Sequence, residues 1–499
     1  MEQLSYVLAA LSPNVLWVTA LGTLGGIVIG ALPGLTATMG VALLVPMTFG
    51  MEPVNGLSML IGIFVGGIYG GCISSILIKT PGTPASAATV LDGYPMAQNG
   101  QAGKALGMAT IASAAGGLFS SVVLATVAPQ LASVALKFGP AEYFALALFG
   151  LTIIASLSGD IVKGVIAGML GVLLSCVGAD PITGASRYTF GVTGFAAGFA
   201  FTPALIGLFA VSEVFVQLEK IFEDKVKPVS VSGVWPSWSE LRECWGTLLR
   251  GSIIGTFIGI VPGVGSGTAS WISYNEARRA SRTPEKFGTG YMPGVAATES
   301  ANNAVCGGAL VPLLALGVPG DVVTAVLMGG LMIHGLAPGP LLFRDNPGVV
   351  VGLFTSSFTA NIFMFVFGMA GIPYFSKILL IPKKVLTVCI ALFCFIGSYA
   401  INMNSVDLYT MLGFGVVGYG MQKYNFSQAA LCIALILGPM AEANLRLGLL
   451  NVDGDLVAFC SGPITLFFLA LTPVSLAWPM IQNRRAKKKA LARQNSEVS

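Results

Sequence analysis

Apolar runs long enough to cross a bilayer recur along this chain, and several of them are cut by a Pro-Gly pair. Uncut examples are 57–78, 106–136, 143–157, 162–177, 195–216, 349–372, 385–400 and 456–480. A helix needs about 20 such residues to span the hydrocarbon. Counting whole and cut runs together predicts an all-α polytopic integral membrane protein with roughly 11–14 membrane elements. Only 10% of the residues are charged, against roughly 25% in soluble domains. Lipid must therefore cover most of the surface.

The cuts come in two matched sets. The run Gly26-Ile27-Val28-Ile29-Gly30-Ala31-Leu32-Pro33-Gly34-Leu35 aligns without gaps with Gly255-Thr256-Phe257-Ile258-Gly259-Ile260-Val261-Pro262-Gly263-Val264. A second cut follows in each half, Pro81-Gly82 and Pro319-Gly320, each preceded by a Gly-Gly, Gly70-Gly71 and Gly307-Gly308. Interrupted segments at corresponding places in two halves point to a transporter's binding site. The expected organisation is a first transmembrane repeat over 1–218, a polar linker over 219–250, a second repeat with a C-terminal helix over 251–480, and a basic tail over 481–499.

Charge suggests how the halves are oriented. Residues 1–14 and 50–55 around the first cut hold no Lys or Arg. Its counterpart is flanked by Lys220, Lys225, Lys227, Arg242 and Arg250, then by Arg278, Arg279, Arg282 and Lys286. By the positive-inside rule the repeats are inverted, each cut segment forms a hairpin, and the tail is cytoplasmic. Much of the net charge of +4 lies in that tail, so it gives no nucleic-acid signal. The eight Cys form no CxxC pair, which indicates neither a disulfide framework nor zinc. Glu2 stands where a signal peptide would be basic, so the run from Val15 is expected to be kept as a span.

A Pro-Gly break inside hydrocarbon frees backbone groups that lipid cannot satisfy. Freed N–H groups suit an anion, and freed carbonyls suit a cation such as Na⁺. Hydroxyls beside the breaks could serve either. The candidate substrate-binding residues are therefore Pro33, Gly34, Thr36 and Thr38; Lys79, Pro81, Gly82, Thr83 and Ser86; Pro262, Gly263, Ser266 and Thr268; and Pro319 and Gly320. Candidate cation ligands, for Na⁺ if a metal ion is used, are Asp321 and Thr324 with Glu299, Asn302 and Asn303, which share a helical face. Helix capping by the hydroxyls and a polar interhelical seam are the structural alternatives. Asp92, before Gly93, reads as a turn residue, His334 as a loop residue, and Glu442 with Arg446 as a structural pair.

The runs Gly30-Ala31-Leu32-Pro33-Gly34-Leu35-Thr36, Tyr69 through Ala85 with its Lys79-Thr80-Pro81-Gly82-Thr83-Pro84, and Leu91-Asp92-Gly93-Tyr94-Pro95 resemble the TctA family. The second half is similar at 259–263 and 315–321. That family supplies the large membrane subunit of tripartite tricarboxylate transporters. The resemblance implies uptake of a small carboxylate across a bacterial inner membrane, driven by Na⁺ or H⁺ and without a cofactor. It also implies a small membrane subunit and a periplasmic solute-binding protein as partners. The family usually has a neutral residue, often Asn, where this chain has Lys79. A Lys there either meets a substrate carboxylate or snorkels.

An ATP-driven pump is not indicated, since Gly263-Val264-Gly265-Ser266-Gly267-Thr268 lacks the phosphate-binding Lys. An intramembrane serine protease would need a base beside Ser266 and only one copy of the segment, so no enzyme is expected. A passive anion channel is the stronger rival, because broken helices also line pores.

Overall fold

A computed structural model describes residues 2–157, 160–180, 182–219, 233–381, 383–475 and 477. Residues 220–232 of the expected linker and the whole basic tail lie outside them. Helices dominate; the one sheet among the described residues is a two-residue antiparallel pairing of Gly178–Ala179 with Ser186–Arg187. Seven described helices are long and apolar enough to span a membrane, and shorter apolar helices such as Ala37–Thr48 and Val322–Ile333 accompany them. The chain is an all-α, multi-pass membrane protein.

Two compact units form, Met1–Leu136 with Ala200–Tyr419, and Lys137–Phe199 with Gly420–Ser499. Each takes one stretch from either half of the sequence. In the first unit, α1 (Pro13–Ala31), α2 (Ala37–Leu44), α3 (Pro53–Ile78), α4 (Val90–Gln98) and α5 (Ala102–Ala135) come from the first half. From the second half come α6 (Trp238–Ile260), α7 (Gly265–Ala280), α8 (Met292–Leu316), α9 (Val322–Ile333) and α10 (Pro347–Ile378).

Packing in the two halves matches residue for residue. Helix α1 crosses α3 on Gly22, Gly26 and Gly30; a Cβ at Gly30 would lie 2.2 Å from the Gly67 carbonyl oxygen. Helix α6 crosses α8 on Gly251, Gly255 and Gly259; a Cβ at Gly255 would lie 2.1 Å from the Ala301 carbonyl oxygen. Three glycines spaced four apart lie on one helix face, and without side chains they let two backbones touch. On the facing helices, Gly70 meets the Ile27 carbonyl as Gly308 meets that of Thr256. Across the halves, α5 packs on α8 and α10 packs on α3. Hydroxyl pairs join the halves as well: Ser58 of α3 with Ser356 of α10 at 2.6 Å, and Ser121 of α5 with Ser357 of α10 at 2.7 Å.

Some runs are organised differently from the sequence expectation. Run 456–480 divides at Ser461 and Gly462, giving Leu456–Cys460 and then Pro463–Ser475, because a Gly and a Pro stand together there. Run 195–216 becomes α-helical only from Phe201 and contains a π-helical turn at Ile206–Val211. Asp92 lies in the first turn of α4 and is buried instead of marking a surface turn.

In the second unit, Pro140–Leu157 and Ile161–Ser175 pack with Gln428–Asn451. Glu442 and Arg446 do pair, at 3.2 Å, within a larger cluster. Arg187 reaches Glu442 at 2.6 Å, and Arg446 reaches Asp180 at 2.6 Å. The amides of Ile182 and Thr183 also donate to Asp180 Oδ1. These donors, the Arg446 guanidinium foremost, hold the Asp180 carboxyl well below the usual carboxylate range.

Candidate functional site

Backbone geometry at the four breaks is paired. Gly34 and Gly263 adopt φ of 91° and 83°, and Lys79 and Gly317, which end α3 and α8, adopt 59° and 70°. Only glycine takes such values without strain. Within each half the second break folds back onto the first. A Cβ at Gly82 would meet the Gly30 carbonyl oxygen at 2.3 Å, and one at Gly320 would meet that of Gly259 at 2.6 Å. The Gly263 amide donates to the Gly320 carbonyl at 2.7 Å.

The halves then meet each other. After the Pro81-Gly82 break the chain makes a short 3₁₀ turn, Pro84–Ser86, against α7. Ser270 Oγ of α7 donates to the Ala85 carbonyl at 2.9 Å and to that of Ser266 at 3.0 Å. Ser75 Oγ of α3 lies 3.0 Å from both oxygens of Ser86. Thr83 and Ser86 are buried, and Thr83 Oγ1 has no hydrogen-bond partner among the described residues.

Just beyond this turn lies Glu299 of α8, fully buried. Thr89 Oγ1 lies 2.5 Å from its Oε1 and 3.0 Å from Thr298 Oγ1. Ser113 Oγ of α5 and Asn302 Nδ2 reach its Oε2 at 3.2 Å and 3.4 Å. No ion pair with a described residue compensates this carboxylate. Asn302 and Asn303 are also fully buried, and the carbonyl oxygen of each side chain is without a donor among the described residues. A buried acceptor left unpaired costs about 1–3 kcal/mol. A carboxylate beside such oxygens suits a small cation or a proton. Among the described residues no group of three or more His, Cys, Asp or Glu gathers, which leaves hydroxyls and amides as the other ligands.

Asn303 Nδ2 donates to the Val65 carbonyl of α3 at 3.3 Å. Asn303 and Val65 occupy matched positions, equally far from the left-handed caps at Gly317 and Lys79. The crossing of α3 and α8 thus brings a residue of one half onto its counterpart in the other.

Other candidates are placed apart. Lys79 is exposed, its Nζ 5.6 Å from the Tyr94 ring centroid. Thr36 caps α2 through Met39 N, while Thr38 and Thr268 are half-buried. Pro33 is half-buried, Pro81 exposed, and Pro262 and Pro319 buried. Asp321 and Thr324 close a reciprocal cap on α9, each backbone N–H bonded to the other's side chain at 2.9 Å and 2.8 Å. No hydrogen bond among the described residues joins that cap to Glu299. His334 caps the end of α9, its ring 3.3 Å from Thr48 Oγ1.

Sequence reasoning missed Thr89 and Ser113, isolated hydroxyls in apolar surroundings, and passed over Thr298 beside Glu299. It also missed the lock around Asp92, which accepts from Tyr274 OH at 2.8 Å and from the amides of Gly288, Gly290 and Tyr291. The Asp-Gly pair resembled a turn and hid it.

The profile of the tripartite tricarboxylate transporter TctA family matches residues 16–433, most of the chain. This chain belongs to the TctA family. The family description makes it a transporter component and points away from an enzyme. Among its relatives is an uncharacterized 52.8 kDa protein in the TAR-I ttuC' 3' region of Agrobacterium vitis, 37% identical over 481 residues and covering 96% of both chains. Another is an uncharacterized protein in the TAR-II ttuC' 3' region of the same organism, 33% identical over 234 residues, 47% of this chain and 97% of the relative. No solved structure matches this TctA-family chain.

Proposed function

We propose that the chain is the permease subunit of a binding-protein-dependent transporter, taking up a small di- or tricarboxylate by symport with Na⁺ or H⁺. The observation that carries this reading is a buried carboxylate, Glu299 of the second half, without a counter-charge among the described residues. It is held by two hydroxyls of the first half, Thr89 and Ser113, and by the Asn302 amide of its own half, just beyond the 81–86 break. The substrate rests on N–H groups and hydroxyls at 33–38, 81–86, 262–268 and 319–320. The cation binds at Glu299 with Asn302 and Asn303, and Asp321 with Thr324 is a second candidate position. Cation binding offsets the substrate's charge and permits closure. Lys79, at the exposed rim, attracts the incoming carboxylate. A periplasmic solute-binding protein delivers the substrate and a small membrane subunit completes the complex. The chain lies in a bacterial inner membrane with inverted repeats and a cytoplasmic C-terminus, in keeping with its charge distribution.

Counterflow of labelled citrate and related carboxylates into proteoliposomes, with the Na⁺ and H⁺ gradients imposed separately, tests the proposal. Cation-dependent accumulation above equilibrium is expected, and Glu299→Gln should lower it at least tenfold. Gradient dissipation without accumulation would identify a passive channel.

A further inference from the structure

At the end of the α6–α7 hairpin away from the break, two cavities share one residue, Arg250. The first, about 350 Å³, is lined by Arg250, Arg282 and Lys286, with Thr247, Tyr291 and Glu243. The second, about 650 Å³, is an open groove along the same two helices, with Ile253, Ile254 and Ile272 leading away from Arg250. Neither Arg250 nor Arg282 makes a hydrogen bond or ion pair with a described residue, and Lys286 Nζ lies 5.7 Å from the Tyr291 ring centroid. The acidic groups close by are already engaged: Glu243 accepts from Tyr291 OH at 2.5 Å, and Glu276 pairs with Arg279 at 2.9 Å. Against its three cations the polar cavity holds one carboxylate, Glu243, whose charge the neutral Tyr291 hydroxyl leaves in place, so the cavity keeps a net positive charge.

Its depth is marked by side chains on the same hairpin. Trp238 and Trp245 are exposed on the polar side of Arg250, while Ile253, Phe257 and Ile272 are exposed on the other. Indole rings settle at the headgroup level and bare aliphatic side chains face hydrocarbon. Arg250 thus stands where a bilayer changes from headgroup to acyl chain. A basic cavity opening onto an apolar groove at that level matches a phospholipid in both charge and shape, and basic pockets between helices hold anionic headgroups.

We propose that this hairpin carries a binding site for an anionic phospholipid. The phosphate sits among Arg250, Arg282 and Lys286, and one acyl chain lies along Ile253, Ile254 and Ile272. Because α7 also holds the turn beside the candidate transport site, through Ser270 and Ala85, an occupied lipid site braces that hairpin. The proposal stands independently of the transported substrate.

The test is thermal unfolding of the full chain in detergent, titrated with dioleoyl-phosphatidylglycerol, with dioleoyl-phosphatidylcholine or with inorganic phosphate. The glycerol lipid should raise the midpoint while the choline lipid and phosphate leave it unmoved. Arg250→Gln and Arg282→Gln should each weaken the apparent affinity about fivefold, the worth of one basic residue at a charged surface. Native mass spectrometry gives a second readout: the wild type should retain a phosphatidylglycerol adduct that Arg250→Gln loses, while Arg344→Gln, changed at an exposed pair elsewhere, keeps it. Equal response to both lipids, or unchanged lipid affinity in both Gln variants, would overturn the site. An equal shift from phosphate alone would reduce it to a simple anion site and overturn the assignment to lipid.

Discussion

Lys79 holds a left-handed backbone, φ 59°, at the end of α3, where the matched position in the other half is Gly317. A non-glycine residue in that region costs about 1–3 kcal/mol, and Asn tolerates it better than Lys. Lys79→Asn should therefore stabilise the protein by about 1 kcal/mol, read as a higher unfolding midpoint in detergent. If Lys79 also attracts substrate, the same variant should raise the KM for uptake a few-fold, most at low salt. Asp180 sets a second expectation at this scale. Its folded-state pKa is depressed by Arg446 and two backbone amides, so the stability it gives is present above the ordinary carboxylate value near 4 and is lost as pH falls below it. Hydrogen-exchange protection of the 180–187 loop should drop in that window. Asp180→Asn should show the reduced protection already at pH 7 and lose the pH dependence.

The helix crossings distinguish neighbouring glycines sharply. Around Gly25 an added Cβ finds open space, whereas at Gly26 it would meet the Ile63 carbonyl oxygen at 2.5 Å. Gly25→Ala should thus stabilise by about 0.5–1 kcal/mol through helix propensity. Gly26→Ala and Gly255→Ala should each destabilise by about 1–3 kcal/mol, since both sides of the contact are main chain. Unfolding midpoints of the three variants check this, and equal effects at Gly25 and Gly26 would contradict the packing. Much at this scale was legible beforehand, because Pro33, Gly34, Pro262 and Gly263 punctuate apolar runs at matched places. Where the helices touch was not. Thr89 and Glu299 are distant in sequence, and a lone Thr in an apolar run gives no sign that it faces a carboxylate. Asp321 shows the converse: it stood out as a charge beside a break, yet its Oδ1 accepts from Thr324 in a helix cap.

Across the whole molecule the two halves interlock. Each compact unit draws on both, and α3 and α8 cross at matched residues, Val65 and Asn303. The matched Pro-Gly cuts pointed to a repeat but not to this exchange, since motif and spacing describe one strip of chain at a time. The consequence is that hydroxyls and turns from one half complete the surroundings of the other, as Thr89 does for Glu299 and as the Pro84–Ser86 turn does for α7. Cysteine cross-linking between Ala85 and Ser270 tests this meeting of the halves most directly. In a cysteine-free background reconstituted into liposomes, Ala85→Cys with Ser270→Cys should form a disulfide under a membrane-permeant oxidant as readily as Ser121→Cys with Ser357→Cys, whose parent hydroxyls lie 2.7 Å apart. Cross-linking of the second pair without the first would mean that the breaks of the two halves do not share one site.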